Sequence, residues 1–375
     1  MYGRGPSPRS CFVDRRHFLL RSSACLAAAA VSPGAAFQVP TVPGPGSQIE
    51  SLMTRLHAQS VFIGEILVAE KGRVLYEGAF GVADPRTGQP YTTHTPSCLA
   101  SLSKPITAVA IMMLAEQRRL TYDAPLSRFL PGFSKSVGAV TLRHLLTHTS
   151  GIPDYPTLDV DRPGVRNAEI LAALQQVRSP SFRPGQKYAY SNSGYVLLAL
   201  IVEAVSGESL PGFLSAHIFK PLGMGATFVL TSPDQKAVGV ARGYDRDGRV
   251  DDFEGMATGE SGVYSTVTDL LRFDQALYTN TLVSQRTLAE AFVPARVGEG
   301  NTSYGWGWNI VNDASGMRVW HQGNTAGFRA FIERRLRDRI TVIMLTNGGD
   351  TNRMAINDNI QRILRGESPQ LSPLA

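Results

Sequence analysis

The chain has 375 residues, of which 43% are apolar and 18% charged, and its formal net charge is +6. This length can bury a sizeable core in one large domain or two, and the composition is that of a soluble globular protein. Residues 1–36 hold five arginines and one aspartate, a net +4, which leaves +2 for the remainder. So small an excess gives no indication of a nucleic-acid partner.

The first 36 residues have the pattern of an export signal. Arg15-Arg16 is followed by apolar residues, by an alanine-rich run over residues 24–31, and by small residues at 34–36. This order predicts a twin-arginine signal that is cleaved near Ala36, and therefore a periplasmic or secreted protein. The apolar run is too short to span a bilayer, so we expect no stable transmembrane span. The alternative is a disordered basic tail.

The segment after the signal begins with a linker. Residues 37–46 are rich in proline and glycine. An apolar stripe then predicts a helix around residues 49–56. Two strands follow over residues 61–69 and 74–81, and a loop rich in turn residues covers 84–95.

From residue 120 to about residue 301 the pattern is mostly helical, with connections rich in proline and glycine. The predicted helices cover residues 142–148, 168–175, 194–205, 210–219, 267–278 and 284–292. Strands return later, over residues 305–311, 318–321, 328–334 and 339–346. A helix over residues 352–364 follows them.

Early and late strands joined by short connections predict an α+β fold with one antiparallel sheet made from both ends of the chain and flanked by helices. We expect residues 47–120 and 301–366 to form this sheet subdomain. Residues 121–300 would be an inserted, mainly helical subdomain within the same domain. A functional site would lie in the cleft between the sheet and the inserted helices.

The sequence Ser101-Leu-Ser-Lys104 lies at the start of an apolar helix, since Pro105 is tolerated only near a first turn. Residues three apart share a helix face, so we expect the Lys104 amine beside the Ser101 hydroxyl. A neighbouring lysine can activate a serine as a nucleophile, and the helix N-terminus supplies N–H groups for an oxyanion. The structural alternative is a helix cap followed by a surface lysine.

A second cluster, Tyr190-Ser-Asn192, follows a turn at residues 183–185 and precedes another apolar helix. A phenol beside Lys104 is a plausible base for Ser101. Asn192 would orient the lysine or a substrate amide. An ordinary entry into a helix is the structural alternative.

A third cluster, His321-Gln322-Gly323-Asn324, stands at the end of a predicted strand. A glycine at this place lets the backbone approach a substrate closely. The N–H of Asn324 would join the N–H of Ser101 as an oxyanion hole. A histidine with an unperturbed pKa near ~6.5 is mostly neutral at pH 7. The structural alternative is a strand-end histidine bonded to the backbone.

Other chemically suggestive residues favour structural interpretations. His144 and His148 have the i, i+4 spacing of a zinc site, but the glutamate that the metalloprotease motif requires is replaced by Leu145. Glu260 would reach a substrate amine if it lay in the cleft, although a surface loop is the simpler expectation.

The cysteines indicate neither a disulfide nor a thiol enzyme. Cleavage near residue 36 would remove Cys11 and Cys25 and leave Cys98 alone, which excludes an intrachain bond. We interpret Cys98 as a small buried residue.

Taken together, the Ser-x-x-Lys, Tyr-x-Asn and His-x-Gly clusters resemble the serine β-lactamase and penicillin-binding-protein superfamily. The most similar branches are class C β-lactamases, family VIII carboxylesterases and D-alanyl-D-alanine carboxypeptidase-like hydrolases. The resemblance covers roughly residues 47–365 and includes further segments at 144–153, 182–185, 221–224, 262–266 with Asp269, and 304–308.

The resemblance implies an acyl-serine mechanism with Ser101 as nucleophile. Lys104 and Tyr190 would be the acid/base pair, and Asn192 would support them. The N–H groups of Ser101 and Asn324 would form the oxyanion hole. The third motif departs from the usual Lys-Thr-Gly of class C enzymes, because His321, Gln322 and Gly323 stand there. This departure weakens the case for β-lactam recognition.

The sequence therefore predicts an exported serine hydrolase that acts on a small ester or amide and needs neither cofactor nor metal. A β-lactamase or D-alanyl-D-alanine carboxypeptidase is the enzymatic alternative. A non-catalytic peptidoglycan-binding or sensor protein is the alternative of another class. The expected partners are ester, amide, β-lactam or peptidoglycan-peptide substrates and no nucleic acid, and the sequence leaves the oligomeric state open.

Overall fold

The computed structural model describes residues 44–370, except residues 237, 238, 246, 253, 254, 298, 299, 302, 349 and 350. The predicted export signal and most of the predicted linker lie outside the described residues. The same holds for Cys11 and Cys25.

The strands are grouped early and late in the chain, and two short strands lie between the groups. The strands are β1 (Gly64–Glu70), β2 (Arg73–Phe80), β3 (Val82–Asp84), β4 (Gln89–Pro90), β5 (Ser97–Cys98), β6 (Phe228–Val229), β7 (Val263–Ser265), β8 (Arg296–Val297), β9 (Gly300–Asn301), β10 (Asn309–Asp313), β11 (Gly316–Thr325), β12 (Phe328–Arg335) and β13 (Ile340–Thr346).

The helices are α1 (Pro45–Ala58), α2 (Lys104–Glu116), α3 (Lys135–Gly138), α4 (Leu142–Leu146), α5 (Asn167–Gln175), α6 (Asn192–Ser206), α7 (Leu210–Leu214), α8 (Val267–Ala276), α9 (Gln285–Ala291) and α10 (Arg353–Leu364). Helix α7 continues as a π-helical turn over Ser215–Phe219. Short 3₁₀ turns cover Ala100–Ser103, Leu126–Arg128, Tyr155–Thr157 and Pro233–Lys236.

A six-stranded sheet forms the centre of the fold, in the order β10-β11-β12-β13-β1-β2. Every neighbouring pair is antiparallel, and β1 from the early part of the chain pairs with β13 from the late part. The predicted α+β class, with one antiparallel sheet built from both chain ends, is therefore confirmed.

Helices cover both faces of this sheet. Successive side chains of a strand point to opposite faces, so each strand contributes to two apolar clusters. On β1, Ile66 and Val68 pack in one apolar cluster with residues of α1 and α10. Leu67 and Ala69 pack in a larger cluster that includes residues of α2, α6 and α8. The central strands are thus buried on both sides, and the layer that holds α2 and α6 carries the first two sequence clusters toward β11, which holds the third.

A small sheet in the order β5-β7-β6 was not predicted. Its strands have two or three residues, which is too short for a period-2 pattern to emerge. In it, Ser97 is opposite Ser265 and Cys98 is opposite Tyr264. This pairing fixes the chain just before Ser101.

Within the described residues, no single helix is long and apolar enough to cross a membrane. The bent pair formed by residues 192–206 and 210–219 has the necessary length and composition only when its two parts are taken together.

Strand β11 lies directly against the chain that leads to Ser101. A Cβ placed on Gly323 would stand 1.9 Å from the Leu99 carbonyl oxygen and 3.1 Å from the Ala100 Cβ. No side chain fits there. The nearest atoms belong to the Leu99 backbone, which the β5–β7 pairing holds in place, while the six-stranded sheet holds Gly323.

We therefore expect Gly323→Ala to destabilise the protein. Overpacking of this kind costs about 1–3 kcal/mol, and each kcal/mol lowers Tm by roughly 2–4 °C in domains approaching this size. The measurement is thermal unfolding followed by circular dichroism. Gly225→Ala is the matched control, since nothing lies within 4 Å of a Cβ at Gly225. Equal Tm values for the two variants would contradict the close contact.

Candidate active site

Ser101 lies on the 3₁₀ turn that enters α2. Ala100 before it has a φ of 46°, in the left-handed region that L-residues seldom adopt. Lys104 begins α2, and Pro105 occupies its first turn. The predicted helix start near Ser101 is confirmed, and the sharp entry leaves Ser101 at the wall of a cleft.

Lys104 is the central residue of the site, with a fully buried side chain. Its Nζ donates to Ser101 Oγ at 2.9 Å, as the i, i+3 spacing predicted. It also donates to Asn192 Oδ1 at 2.8 Å and to the Glu260 carbonyl oxygen at 3.0 Å. The Glu260 carboxylate is 3.4 Å away. A buried ammonium is stable only when its protons are bonded, and these acceptors meet that need.

Asn192 is the first residue of α6, and a neighbouring carboxylate fixes its amide. Its Nδ2 donates to Asp154 Oδ2 at 3.1 Å, while Asp154 Oδ1 accepts the Ser193 N–H at 2.9 Å. The Asn192 oxygen is thereby turned toward Lys104. Burial raises the pKa of Asp154, against the lowering effect of these N–H bonds and of Lys104. Sequence analysis missed Asp154, because no motif singles it out.

Tyr190 meets Lys104 through its ring face. The Lys104 Nζ stands 4.8 Å from the centroid of the Tyr190 ring, which is 40% exposed. Within the described part of the chain, the Tyr190 hydroxyl makes no hydrogen bond to Lys104 or to Ser101. The structure thus brings Tyr190 to the site by a cation–π contact, and its predicted role as a base stays a prediction.

His321 lies inside β11, which extends through the third cluster to Thr325, so the predicted strand end at residue 321 is wrong. Its Nδ1 lies 2.8 Å from the Gln322 carbonyl oxygen, which can only accept, so Nδ1 carries the proton. Nε2 then accepts from the Tyr304 hydroxyl at 3.0 Å. Burial, with a smaller effect of Lys104, lowers the pKa of His321 to about 3. The predicted neutral imidazole is thus present, but both ring nitrogens are occupied.

A second histidine, His148, is buried in the same layer. Its ring centroid is 4.2 Å from that of Tyr190 and 4.6 Å from that of Tyr304. Burial, and then Lys104 and His321, lower the pKa of His148 well below its ordinary value. His144, by contrast, bonds Thr141 at the start of α4. Within the described residues no group of His, Cys, Asp or Glu side chains could hold a metal ion.

Asn324 and Ser101 line the same cleft, so the structure brings the two predicted oxyanion-hole residues together. The Asn324 side chain is bound by α10, because its Oδ1 accepts from Arg353 Nη2 at 2.6 Å. Arg353 Nη1 donates to the Gly323 carbonyl oxygen at 2.8 Å. Arg353 is a further residue that sequence analysis missed.

The expectation that Glu260 lies in a surface loop is wrong. Glu260 is 6% exposed, and besides Lys104 it is bonded by the Tyr155 hydroxyl at 3.2 Å and by Ser261 Oγ at 2.7 Å. The loop is bound to α2, since the Thr107 hydroxyl donates to the Gly259 carbonyl oxygen. A lone glutamate between glycine and serine gave no sequence signal for this contact.

The cleft beside Ser101 has a cavity volume of about 190 Å³. Its walls come from the β5 end, the Tyr155 turn, the Glu260 loop and the end of β11. Among the described residues that line it, the charged side chains are Glu260 and Asp161, and both are acids. Burial, and then Glu260, raise the pKa of Asp161.

The low pKa of His321 has a consequence for stability. Below pH 6.5 an unfolded chain protonates this histidine, whereas the folded chain does not until about pH 3. The free energy of unfolding should therefore fall with decreasing pH, by up to about 1.4 kcal/mol per pH unit for this one proton.

We expect the stability of the wild type relative to His321→Gln to decline in that way between pH 6 and pH 4. Urea unfolding at each pH measures the difference. His94→Gln, at an exposed position, is the matched control for the loss of a histidine. A flat difference for His321→Gln would show that the folded protein protonates His321 over the same pH range as the unfolded chain.

Residues 48–367 match the sequence model of the family described as Beta-lactamase. Penicillin-binding protein 4* of Bacillus subtilis (strain 168) is 36% identical over 324 residues, which cover 80% of this chain and 71% of that protein. Esterase EstB of Burkholderia gladioli is 31% identical over 337 residues, covering 75% and 84%. The octameric penicillin-binding protein homologue from Pyrococcus abyssi superposes with a TM-score of 0.78 at 28% identity, covering 87% of this chain and 78% of that one. The resemblance inferred from the three clusters is thus confirmed, and the chain belongs to the Beta-lactamase family of serine hydrolases.

Proposed function

We propose that this protein hydrolyses small, uncharged esters or amides through an acyl-Ser101 intermediate. The observation that carries the proposal is the buried Lys104 ammonium 2.9 Å from Ser101 Oγ. A non-catalytic binding protein on this fold would have no need for a charge that is expensive to bury beside a cleft serine.

In the proposed reaction the Lys104–Tyr190 pair takes the Ser101 proton as Oγ attacks the substrate carbonyl carbon. The carbonyl electron pair moves to the oxygen, which the N–H groups of Ser101 and Asn324 bind. Collapse of this intermediate expels the alcohol or amine, which receives the proton from the same pair. Water then attacks the acyl-serine in the same manner, and the carboxylic acid leaves.

The geometry supports different roles for Lys104 and Tyr190 in the proposed proton transfer. Lys104 as an ammonium has three protons for its four acceptors, and it has no lone pair to receive another. A second group must therefore take part whenever Lys104 is charged. Tyr190 is partly exposed and its ring face lies over the same ammonium, so it is our candidate for this second group.

The charges of the cleft support an uncharged substrate over an anionic one. Glu260 and Asp161 line the cleft, and His321 is neutral with both nitrogens occupied. A β-lactam or a D-alanyl peptide carries a carboxylate. Among the described lining residues it would meet Asp161 and the Glu260 carboxylate, which is already paired with Lys104, and no unpaired cation. The named relatives include both an esterase and a penicillin-binding protein, so the β-lactamase or D-alanyl-D-alanine carboxypeptidase alternative is decided by assay.

Export belongs to the same proposal. The twin-arginine pattern over residues 1–36 supports a periplasmic or secreted enzyme that folds before export.

Ser101→Ala should abolish turnover without unfolding the protein, because loss of a serine nucleophile costs on the order of 10⁴–10⁶ in kcat. A fluorophosphonate probe should add to the wild-type peptide that contains Ser101, as located by mass spectrometry. Ser261→Ala is the matched control, since Ser261 lines the same cleft, and it should keep the label. A label on folded Ser101→Ala, or near-normal turnover by it, would refute the proposed nucleophile.

The wild type should hydrolyse short-chain p-nitrophenyl esters with higher kcat/KM than nitrocefin or a D-alanyl-D-alanine peptide. Removing one cleft charge in Asp161→Asn should raise the ratio of anionic to uncharged turnover a few-fold at low salt, and added salt should shrink that gain. Asp159→Asn, an exposed neighbour outside the cleft lining, should leave the ratio unchanged. Efficient nitrocefin hydrolysis without ester activity would favour the β-lactamase alternative.

A further inference from the structure

Arg353 is a buried cation bound to β11 and to the neighbouring strand β12. Its Nη1 donates to the carbonyl oxygens of Gly323 and Ala330, both at 2.8 Å. Its Nη2 donates to Asn324 Oδ1 at 2.6 Å. Gly323 and Ala330 are opposite each other in the β11–β12 ladder. The guanidinium thus bridges two paired strands at the place where β11 enters the cleft.

This position is unfavourable for a positive charge. Arg353 is 7% exposed, and its Nε has no hydrogen-bond partner among the residues that the structure describes. It is the first residue of α10, where the helix dipole repels cations. Burial, with an added effect of Arg329, lowers the pKa of Arg353 to about 10. The contacts that Arg353 makes must offset these costs.

Two of the three contacts are to the Gly323–Asn324 segment of β11. The Gly323 carbonyl and the Asn324 N–H belong to the same peptide bond, which is planar, and in a trans peptide they point in opposite directions. A guanidinium that holds the carbonyl therefore aims the N–H away from α10. The second bond, to Asn324 Oδ1, anchors the side chain of the same residue.

On the cleft side the same peptide has no freedom to turn. Gly323 lies against the Leu99 carbonyl, where a Cβ would be only 1.9 Å from the oxygen. Asn324 and Ser101 line one cavity. The peptide is therefore held between backbone on one side and the guanidinium on the other.

We propose that Arg353 is a positioning residue that sets the direction of the Asn324 N–H toward the substrate oxyanion. It never touches the substrate, and it acts through the Gly323–Asn324 peptide. The inference rests on the acyl-serine mechanism proposed above and adds to it the group that keeps the second hydrogen-bond donor in place.

The test compares Arg353→Met, which removes the donors, with Arg353→Lys, which keeps the charge but loses the planar fork. Substrate turnover is measured with a p-nitrophenyl ester. The infrared carbonyl stretch of the acyl-enzyme reports how strongly the hole polarises the acyl group. Arg335→Met is the matched control, because Arg335 ties β12 to the far end of α10 through Gln361 at 3.0 Å.

We expect kcat of folded Arg353→Met to fall about 10- to 100-fold, somewhat less than for loss of a whole oxyanion donor, with KM changed less than about threefold. The carbonyl stretch of Arg353→Met should move to higher wavenumber. In both kcat and carbonyl stretch, Arg353→Lys should lie between Arg353→Met and the wild type. Arg335→Met should show neither effect. If Arg353→Met does not fold, Arg353→Lys carries the same two readouts.

Unchanged kcat and carbonyl stretch in a folded Arg353 variant, while the wild type acylates normally, would overturn this inference alone. A rise in KM with unchanged kcat would overturn it too, because it would place Arg353 in substrate binding. If the wild type forms no acyl adduct at all, the proposed function fails and the inference fails with it.

Discussion

The site depends on one interaction, the solvation of the Lys104 ammonium inside the protein. A buried charge is tolerated only when protein groups replace the water it has lost. Its acceptors come from three segments: the turn at Ser101, the start of α6 at Asn192, and the loop at Glu260. The last two segments lie 88 and 156 residues from Lys104 along the chain, so this single charge holds distant parts of the chain in one arrangement.

That charge also adds to the effect of burial on two neighbouring histidines. The pKa values of His148 and His321 are lowered mainly by burial and further by Lys104. Glu260 supplies the opposite charge at 3.4 Å. The ammonium is thus nearly balanced inside the protein and offers little attraction to an anion in the cleft. A neutral histidine at the third motif agrees with this weak attraction, because it adds no positive charge for an anionic substrate.

Sequence reasoning succeeded where geometry follows from local spacing. The Ser101–Lys104 contact is an i, i+3 relation on one turn, and the sheet was predicted from strands at both ends of the chain. It failed where the partner is distant and lies in irregular backbone. Glu260 and Asp154 reach the site from loops whose path depends on tertiary packing, and no periodicity records such a path. Arg353 looked like an ordinary helix residue, because its role appears only once β11 and β12 are paired.

Strand β11 couples the geometry of the proposed oxyanion hole to the register of the sheet. Gly323 is opposite Ala330 and also lies against the Leu99 carbonyl, where a Cβ would be 1.9 Å away. A slip of one residue along β11 would turn every side chain to the other face. It would also place Gln322 or Asn324 against Leu99, where no side chain fits. The contact that brings the two hydrogen-bond donors together thus also selects the correct strand pairing. The register of this sheet thus brings Ser101 and Asn324 to one cleft, while the direction of the Asn324 N–H is the part that we assign to Arg353.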